Sequence, residues 1–318
     1  MPTTAFISHP ACLRHDMGAG HPECPDRLRA IADQVQAQRL TDFLQHHDAP
    51  AATREQLARA HSAAHIDGIF AHAPAEGLVM LDPDTLMNPA TLEAALRAAG
   101  AVVLATNMVI AGTVRNAFCA VRPPGHHAER DTPMGFCFFN NVAVGAAHAL
   151  ATGMARVAIV DFDVHHGNGT EDIFSDEARV LLCSSFQHPY YPGKAGRSVP
   201  GHLINTPLRA GDGSEAFRAA VREHWLPELE RFEPEMIFVS AGFDAHADDP
   251  LAALRLQDAD YAWVTQQITA IAARHCRGRV VSVLEGGYDL DVLGRCVSLH
   301  IRGLLEASPP RRAAPVAP

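Results

Sequence analysis

Apolar residues along this chain gather into short, nearly continuous runs, and between those runs into the i, i+3, i+4 spacing of helices. The runs predict strands at residues 4–8, 116–121, 157–160, 179–183, 236–240 and 280–284. Runs without alternation suit strands buried on both faces of a parallel sheet. Helical spacing fills the intervals at 26–39 (with Pro25 and Asp26 suiting its first turn), 55–72, 91–111, 141–151, near Glu171, 214–231, 258–276 and 289–305. Ser214 is the expected N-cap of its helix. In the last helix Leu290, Leu293, Val297, Ile301 and Leu304 fall on one face. Strands and helices alternate throughout, so the expected fold is α/β, a doubly wound parallel sheet flanked by helices. No linker or repeat divides it, so residues 1–305 read as a single domain and 306–318, rich in Pro and Ala, as a disordered tail.

Polar residues crowd the carboxyl ends of these strands. The stretch RVAIVDFDVHHGNGT (156–170) is the centre of the pattern: an apolar strand followed by Asp161, Asp163, His165 and His166. Asp163 and His165 are two residues apart, so extended backbone points both side chains the same way. A carboxylate and an imidazole aimed together are two thirds of a catalytic zinc site. A lone DxH is more often a solvated strand end, but here two carboxylates and two imidazoles fall within six residues. Three more strand ends carry HH at 126–127, GFD at 242–244 and GGY at 286–288. Each has an ordinary reading on its own: surface histidines, an N-cap for Asp244, turn packing for Tyr288. Ligands of open α/β sheets bind outside the carboxyl ends of the strands, where all four would meet. Asp163, His165 and Asp244 would then hold zinc with positions open for water and a substrate carbonyl. A nearby histidine would move the proton, and the Tyr288 phenol would donate to the developing oxyanion.

Composition narrows the class. With 47% hydrophobic and 19% charged residues the chain is ordinary globular material. A net charge of -10 without a basic cluster argues against nucleic acid as partner. Seven cysteines without a CxxC suit reduced thiols and a cytoplasmic enzyme. The uncharged stretch 98–114 is shorter than a bilayer span and reads as a buried helix, so no membrane is expected. Oligomeric state stays open.

The motifs HPECPDRL, RPPGHH, GFCFFNN, DFDVHHGNGTE, SAGFDAHADDPL and LEGGYDL together resemble the zinc-dependent histone deacetylase and acetylpolyamine amidohydrolase superfamily. The likeness spans 1–305 and is greatest to the class II branch and its bacterial relatives. It implies the arginase/deacetylase-like α/β fold and one zinc per chain on Asp163, His165 and Asp244. It further implies His127 as general base and acid, His126 as its electrostatic partner, Asp161 accepting from His126, Asn168 facing His127, and Tyr288 as the transition-state tyrosine. An amide at Asn168, where the class I branch has an aspartate, should leave His127 less basic. Phe136 and Tyr191 match the aromatic walls of an acyl-lysine tunnel, Leu251 its rim, and the Gly135 carbonyl an acceptor for the substrate amide. Asp161 and Ser184 match a structural potassium site, and Arg27 the acetate exit. The expected substrate is an acetylated lysine peptide or acetylated small amine. Two departures stand out: GKAGRSVPGHLINTPL is less glycine-rich than is usual, and Leu251 stands where polyamine-specific relatives have an acidic gatekeeper. Asp82 and Asp84, in an expected loop at 81–89, read as solvated carboxylates. Two other readings stay open: an acyl-lysine binding module with little catalysis, and an arginase-like ureohydrolase, which needs paired manganese and more carboxylates.

Overall fold

A computed structural model describes residues 4–194 and 196–307. Eight parallel strands form one sheet: β1 (Thr4–Ser8), β2 (Leu44–Asp48), β5 (Asn116–Cys119), β6 (Val157–Asp161), β7 (Val180–Gln187), β8 (Leu203–Leu208), β9 (Met236–Ala241) and β10 (Val280–Leu284), in spatial order β2-β1-β5-β10-β9-β6-β7-β8. A two-stranded hairpin, β3 (Val79–Asp82) and β4 (Thr85–Met87), stands apart. The central strands are buried along their whole length, as their unbroken apolar runs require.

The helices form two groups. In one, α1 (Asp26–Ala37) packs on α10 (Leu290–Leu305), which packs on α9 (Asp258–His275). In the other, α4 (Thr91–Ala111) packs on α5 (Asn141–Ala151) and on β1, β5 and β10. Helix α4 is long and apolar enough to cross a membrane, yet most of it is buried within this fold. Asn140 caps α5 and Asp289 caps α10, each accepting from a backbone N–H in the first turn.

Several expected elements differ, each for a local reason. The helix at 55–72 is two pieces, α2 (Arg54–Leu57) and α3 (Ala63–Ala71), because Ser62 accepts from His65 N and starts a new helix. The helix at 214–231 is α7 (Ser214–Ala220), a π-turn at Val221–Trp225, and α8 (Leu226–Phe232). Pro227 has no N–H to give the preceding turn, so the hydrogen-bond register shifts there. Ser214 is not the N-cap; its hydroxyl donates to Asp260 Oδ2 at 2.6 Å and Gly213 takes the cap position. Leu290 is exposed at the start of α10, while Leu293, Val297, Ile301 and Leu304 are buried. The expected loop at 81–89 holds the turn and second strand of the hairpin, whose first strand begins at Val79. Edge strands β2 and β8 carry polar or proline residues that hide the strand pattern; Pro207 is tolerated because an edge strand has one unpaired side. Residues 308–318 of the expected tail lie outside the described residues.

His300 of α10 is fully buried between Thr265 Oγ1 (2.6 Å) and Ser282 Oγ (2.8 Å). Burial pushes its pKa down to about 3. A histidine depressed in the folded state contributes its full stability above the unfolded value of about 6.5 and loses it as pH falls. At pH 5 that loss is about 2 kcal/mol for His300. His61, pushed by burial to about 3, acts in the same sense. The melting temperature is therefore expected to fall between pH 7 and pH 5. His300→Gln, which keeps a donor and an acceptor but does not titrate, should flatten that slope; an unchanged slope in this variant would refute the assignment.

Candidate active site

The four central strands, β5, β10, β9 and β6, are neighbours, and the four polar strand ends open at the same edge. Beyond β6, Asp163 N donates to Asp161 Oδ1 at 3.1 Å and His165 N to Asp163 Oδ1 at 2.8 Å, which fixes the DxDxH segment by its own side chains. Gly286 N, after β10, donates to Asp163 Oδ2 at 2.8 Å. Val164 N donates to Asp244 Oδ1 at 2.9 Å, tying the segment to the end of β9. One ligand atom each of Asp163, His165 and Asp244 lies within 4.8 Å of the others, all buried. His165 Nδ1 is 3.0 Å from Asp163 Oδ1 and 3.2 Å from Asp244 Oδ2. Among the described residues, none donates a hydrogen bond to Asp244 Oδ2.

The electrostatics are those of crowded buried charge. Burial and then the Asp163 charge raise the pKa of Asp244. Burial opposes ionisation of Asp163 as well, but His126 and His165 hold it well below the carboxylate range. Burial disfavours charge on His165, and Asp163 and Asp244 overcome this to raise it to about 10. Two carboxylates, one of them carrying that donor-free oxygen, and an imidazole are a donor set that suits a divalent ion of intermediate softness. A second cluster, His246, Asp258 and Cys296, differs because Arg295 already neutralises Asp258 at 3.0 Å.

The loop after β5 brings two histidines to the cluster. His126 Nδ1 lies 3.0 Å from Asp161 Oδ2, and His127 Nδ1 lies 2.8 Å from Asn168 Oδ1. Burial works against a charge on His126, but Asp163 and Asp161 raise its pKa well above the ordinary value. Burial, then the charges of His126 and His165, push His127 well below it. Tyr288 is raised, first by burial, so its phenol keeps its proton.

A narrow cavity of about 60 Å³ ends on these groups. Its lining includes Gly135, Phe136, Tyr191, Leu251 and Tyr288 beside His126, His127 and His165. A larger cleft of about 570 Å³, at the sheet edge near Phe6 and His46, holds none of them. The Phe136 wall stands on a strained turn: its φ is +69°, held by Phe136 N donating to Thr85 Oγ1 at 2.9 Å. The Gly135 carbonyl accepts from Cys137 Sγ at 3.2 Å. The Tyr191 ring meets His127 edge-on at 5.1 Å, and Tyr190, which sequence reasoning passed over, stacks on His165 at 5.5 Å. Tyr190 also donates through its hydroxyl to the Leu251 carbonyl.

Arg27 is fully buried, donating to the carbonyls of Gly287 (2.7 Å) and Glu285 (2.5 Å) and to Glu23 Oε1 (3.0 Å), with its guanidinium 5.0 Å from the Tyr288 ring. Ser184 lies opposite Asp161 in the β6–β7 pairing, and its buried hydroxyl has no partner among the described residues. Asp84 lines the cavity instead of standing free, because the hairpin turn carries it there. Its neighbour Asp82 is pushed up to about 6 by burial and by Asp84.

Three further carboxylates escaped the sequence reading. Glu285 accepts from Gly125 N (2.7 Å), His126 N (3.1 Å) and Ser240 Oγ (3.1 Å), and burial raises it to about 7. Asp249 accepts from Tyr288 N at 2.7 Å. Glu129 accepts from Asn168 Nδ2 at 2.8 Å. Glu285 and Asp249 stand within motifs already singled out and Glu129 lies two residues beyond RPPGHH, so a polar residue in or beside a loaded motif was the available signal.

Sheet order and site together define an arginase/deacetylase-like α/β protein with a carboxylate–imidazole cluster at the floor of a narrow cavity. The chain belongs to the histone deacetylase family: the model of the histone deacetylase domain matches residues 21–304. It is 39% identical to a histone deacetylase-like amidohydrolase of Pseudomonas aeruginosa, over 90% of this chain and 81% of that one. It is 38% identical to the chloroplastic histone deacetylase 14 of Arabidopsis thaliana, over 93% of this chain and 75% of that one. It matches a type-2 histone deacetylase 2 of Dictyostelium discoideum at 34% identity, with 95% of this chain spanning 21% of the relative's length. Among solved structures, the HDA15 HD domain superposes with a TM-score of 0.91 at 34% identity, covering 97% of this chain and 91% of that one.

Proposed function

We propose that residues 1–305 form one catalytic domain that hydrolyses the amide of an N-acetylated amine, an acetyl-lysine side chain or an acetylated small amine, with one zinc ion per chain. The observation that carries this reading is the convergence of Asp163, His165 and Asp244 within 4.8 Å at the end of a cavity that His127 and Tyr288 also line. Zinc on these three residues would supply Lewis acidity, making water nucleophilic at neutral pH and polarising the amide carbonyl.

The remaining steps belong to the chain. Phe136 and Tyr191 flank an aliphatic stem, and the Gly135 carbonyl and Leu251 help to set its depth. His127, kept neutral by burial, takes the proton of the attacking water and passes it to the departing amine. His126, held as a cation beside Asp161, offsets the charge that develops as the carbonyl is attacked. Tyr288 donates its phenolic proton in a hydrogen bond to the oxyanion. Arg27 lies behind Tyr288 where departing acetate would meet a cation. The partnerless Ser184 hydroxyl and Asp161 are hard oxygen donors that suit potassium as a structural ion. All seven thiols are unpaired, in keeping with a reducing compartment such as the cytoplasm.

The test follows acetate release by the zinc-loaded protein from an acetyl-lysine peptide and from an acetylated diamine, beside Tyr288→Phe. Turnover of at least one substrate is expected, with kcat lower on the order of 10²-fold in Tyr288→Phe. Turnover that survives undiminished in the variant, or that requires two manganese ions, would overturn the mechanism. Zinc-loaded protein that binds the acetylated ligands but turns over neither would favour a binding module.

A further inference from the structure

An asparagine beside the proton-transferring histidine poses a problem that a carboxylate would not. The two ends of the Asn168 side chain are nearly the same size, but one accepts hydrogen bonds and the other donates them. With Oδ1 toward His127, the imidazole keeps its proton on Nδ1 and leaves Nε2 free to accept one. Turned over, the amide would donate to Nδ1 and force the proton onto Nε2, and the base would be lost. A histidine in the wrong tautomer costs a catalytic site up to about 10⁴-fold even when its geometry is intact. Burial alone does not choose between the two orientations.

The far side of the amide does choose. Asn168 Nδ2 faces Glu129 Oε1 at 2.8 Å, Met134 Sδ at 3.3 Å and the His127 carbonyl at 3.4 Å. All three are acceptors, and Glu129 alone makes a short contact with full charge. Reversal would press Oδ1 against that carboxylate. Glu129 is itself anchored: its N–H donates to the Thr132 carbonyl at 2.9 Å, and its carbonyl lies 3.0 Å from His61 Nδ1. Lys194 Nζ donates to the same Oε1 at 2.9 Å, a second contact that holds this oxygen in place. We infer that Glu129 is a positioning residue for the reaction, locking the Asn168 amide so that His127 carries its proton on Nδ1. The inference rests on His127 as the proton-transferring group of the proposed function, and it places the charge missing from position 168 one residue further out.

The test combines kinetics with the tautomer itself. In zinc-loaded protein of native circular dichroism, Glu129→Ala should lower kcat about tenfold or more while KM stays within about twofold, because no substrate contact is touched. Glu129→Gln, which can present either end, should fall between. In an Asn168→Asp background Glu129→Ala should cost nothing, since a carboxylate accepts from His127 through either oxygen. Equal losses in the two backgrounds would mean that Glu129 acts only through stability. Nitrogen-15 NMR of the histidine ring reads the proton directly: it should sit on Nδ1 of His127 in the parent chain and populate Nε2 in Glu129→Ala. An unchanged tautomer overturns the inference even where turnover is normal. A shifted tautomer upholds it even in a chain that turns over no acetylated substrate, so the two readings fail separately.

Discussion

Asp244→Asn is expected to give a folded protein that binds zinc more than about 10²-fold more weakly and shows no measurable turnover. The substitution keeps an oxygen for the Val164 N–H, which Asp244 Oδ1 accepts at 2.9 Å. What it removes is the charge on Oδ2, the oxygen without a donor that faces His165. Burial and Asp163 already disfavour that charge in the metal-free protein. Metal-free Asp244→Asn should therefore melt no lower than the metal-free parent, while zinc should raise the melting temperature of the parent alone. Thermal melts in chelator and in excess zinc check both halves. Stoichiometric zinc retained by the variant through chelator treatment would remove Asp244 from the ligand set.

Gly286→Ala should disable the site without deleting any ligand. A Cβ at this position would stand 2.0 Å from Asp244 Oδ2 and 2.6 Å from Asp163 Oδ2, distances no methyl group tolerates. The backbone N–H of the same residue holds Asp163 Oδ2 at 2.8 Å, so it cannot back away without releasing that carboxylate. Both proposed ligands must move by about an ångström, and misplacement on that scale costs about 10²-fold for each reacting geometry it spoils. A loss of more than about 10³-fold in kcat/KM is expected, with weaker zinc binding. The measurement is kcat/KM beside metal content at equal protein concentration. Near-normal activity would mean that the carboxylates are not held where the close approach of Gly286 puts them.

These two residues differ in how visible they were beforehand. Asp244 stands in GFD at a strand end, where a carboxylate is an obvious candidate. Gly286 stands in GGY at 286–288, where turn packing is the ordinary reading, and its actual demand is room for two carboxylates from other strands. The same contrast runs through the fold. Strands at 4–8 and 280–284 and helices at 91–111 and 141–151 were legible to the residue, because a core element repeats its apolar pattern along its own length. The edge strands β2 and β8 were not, since an edge has a solvated side and needs no such pattern. Asp84 looked like a loop carboxylate in water because nothing local announces the hairpin that turns it into the cavity.

By itself the sequence determined the alternation of strand and helix, the polar strand ends, and the residue types able to hold a metal and move a proton. Each of those depends on neighbours within a few positions, where periodicity and backbone direction constrain the answer. Tertiary structure alone decided which polar side chains from distant loops support the site. Glu129 lies 39 positions from Asn168, and Glu285 lies 159 from His126. A buried polar group must find a partner wherever the closed fold offers one, so those pairings exist only once the sheet order has brought β5, β6, β9 and β10 side by side.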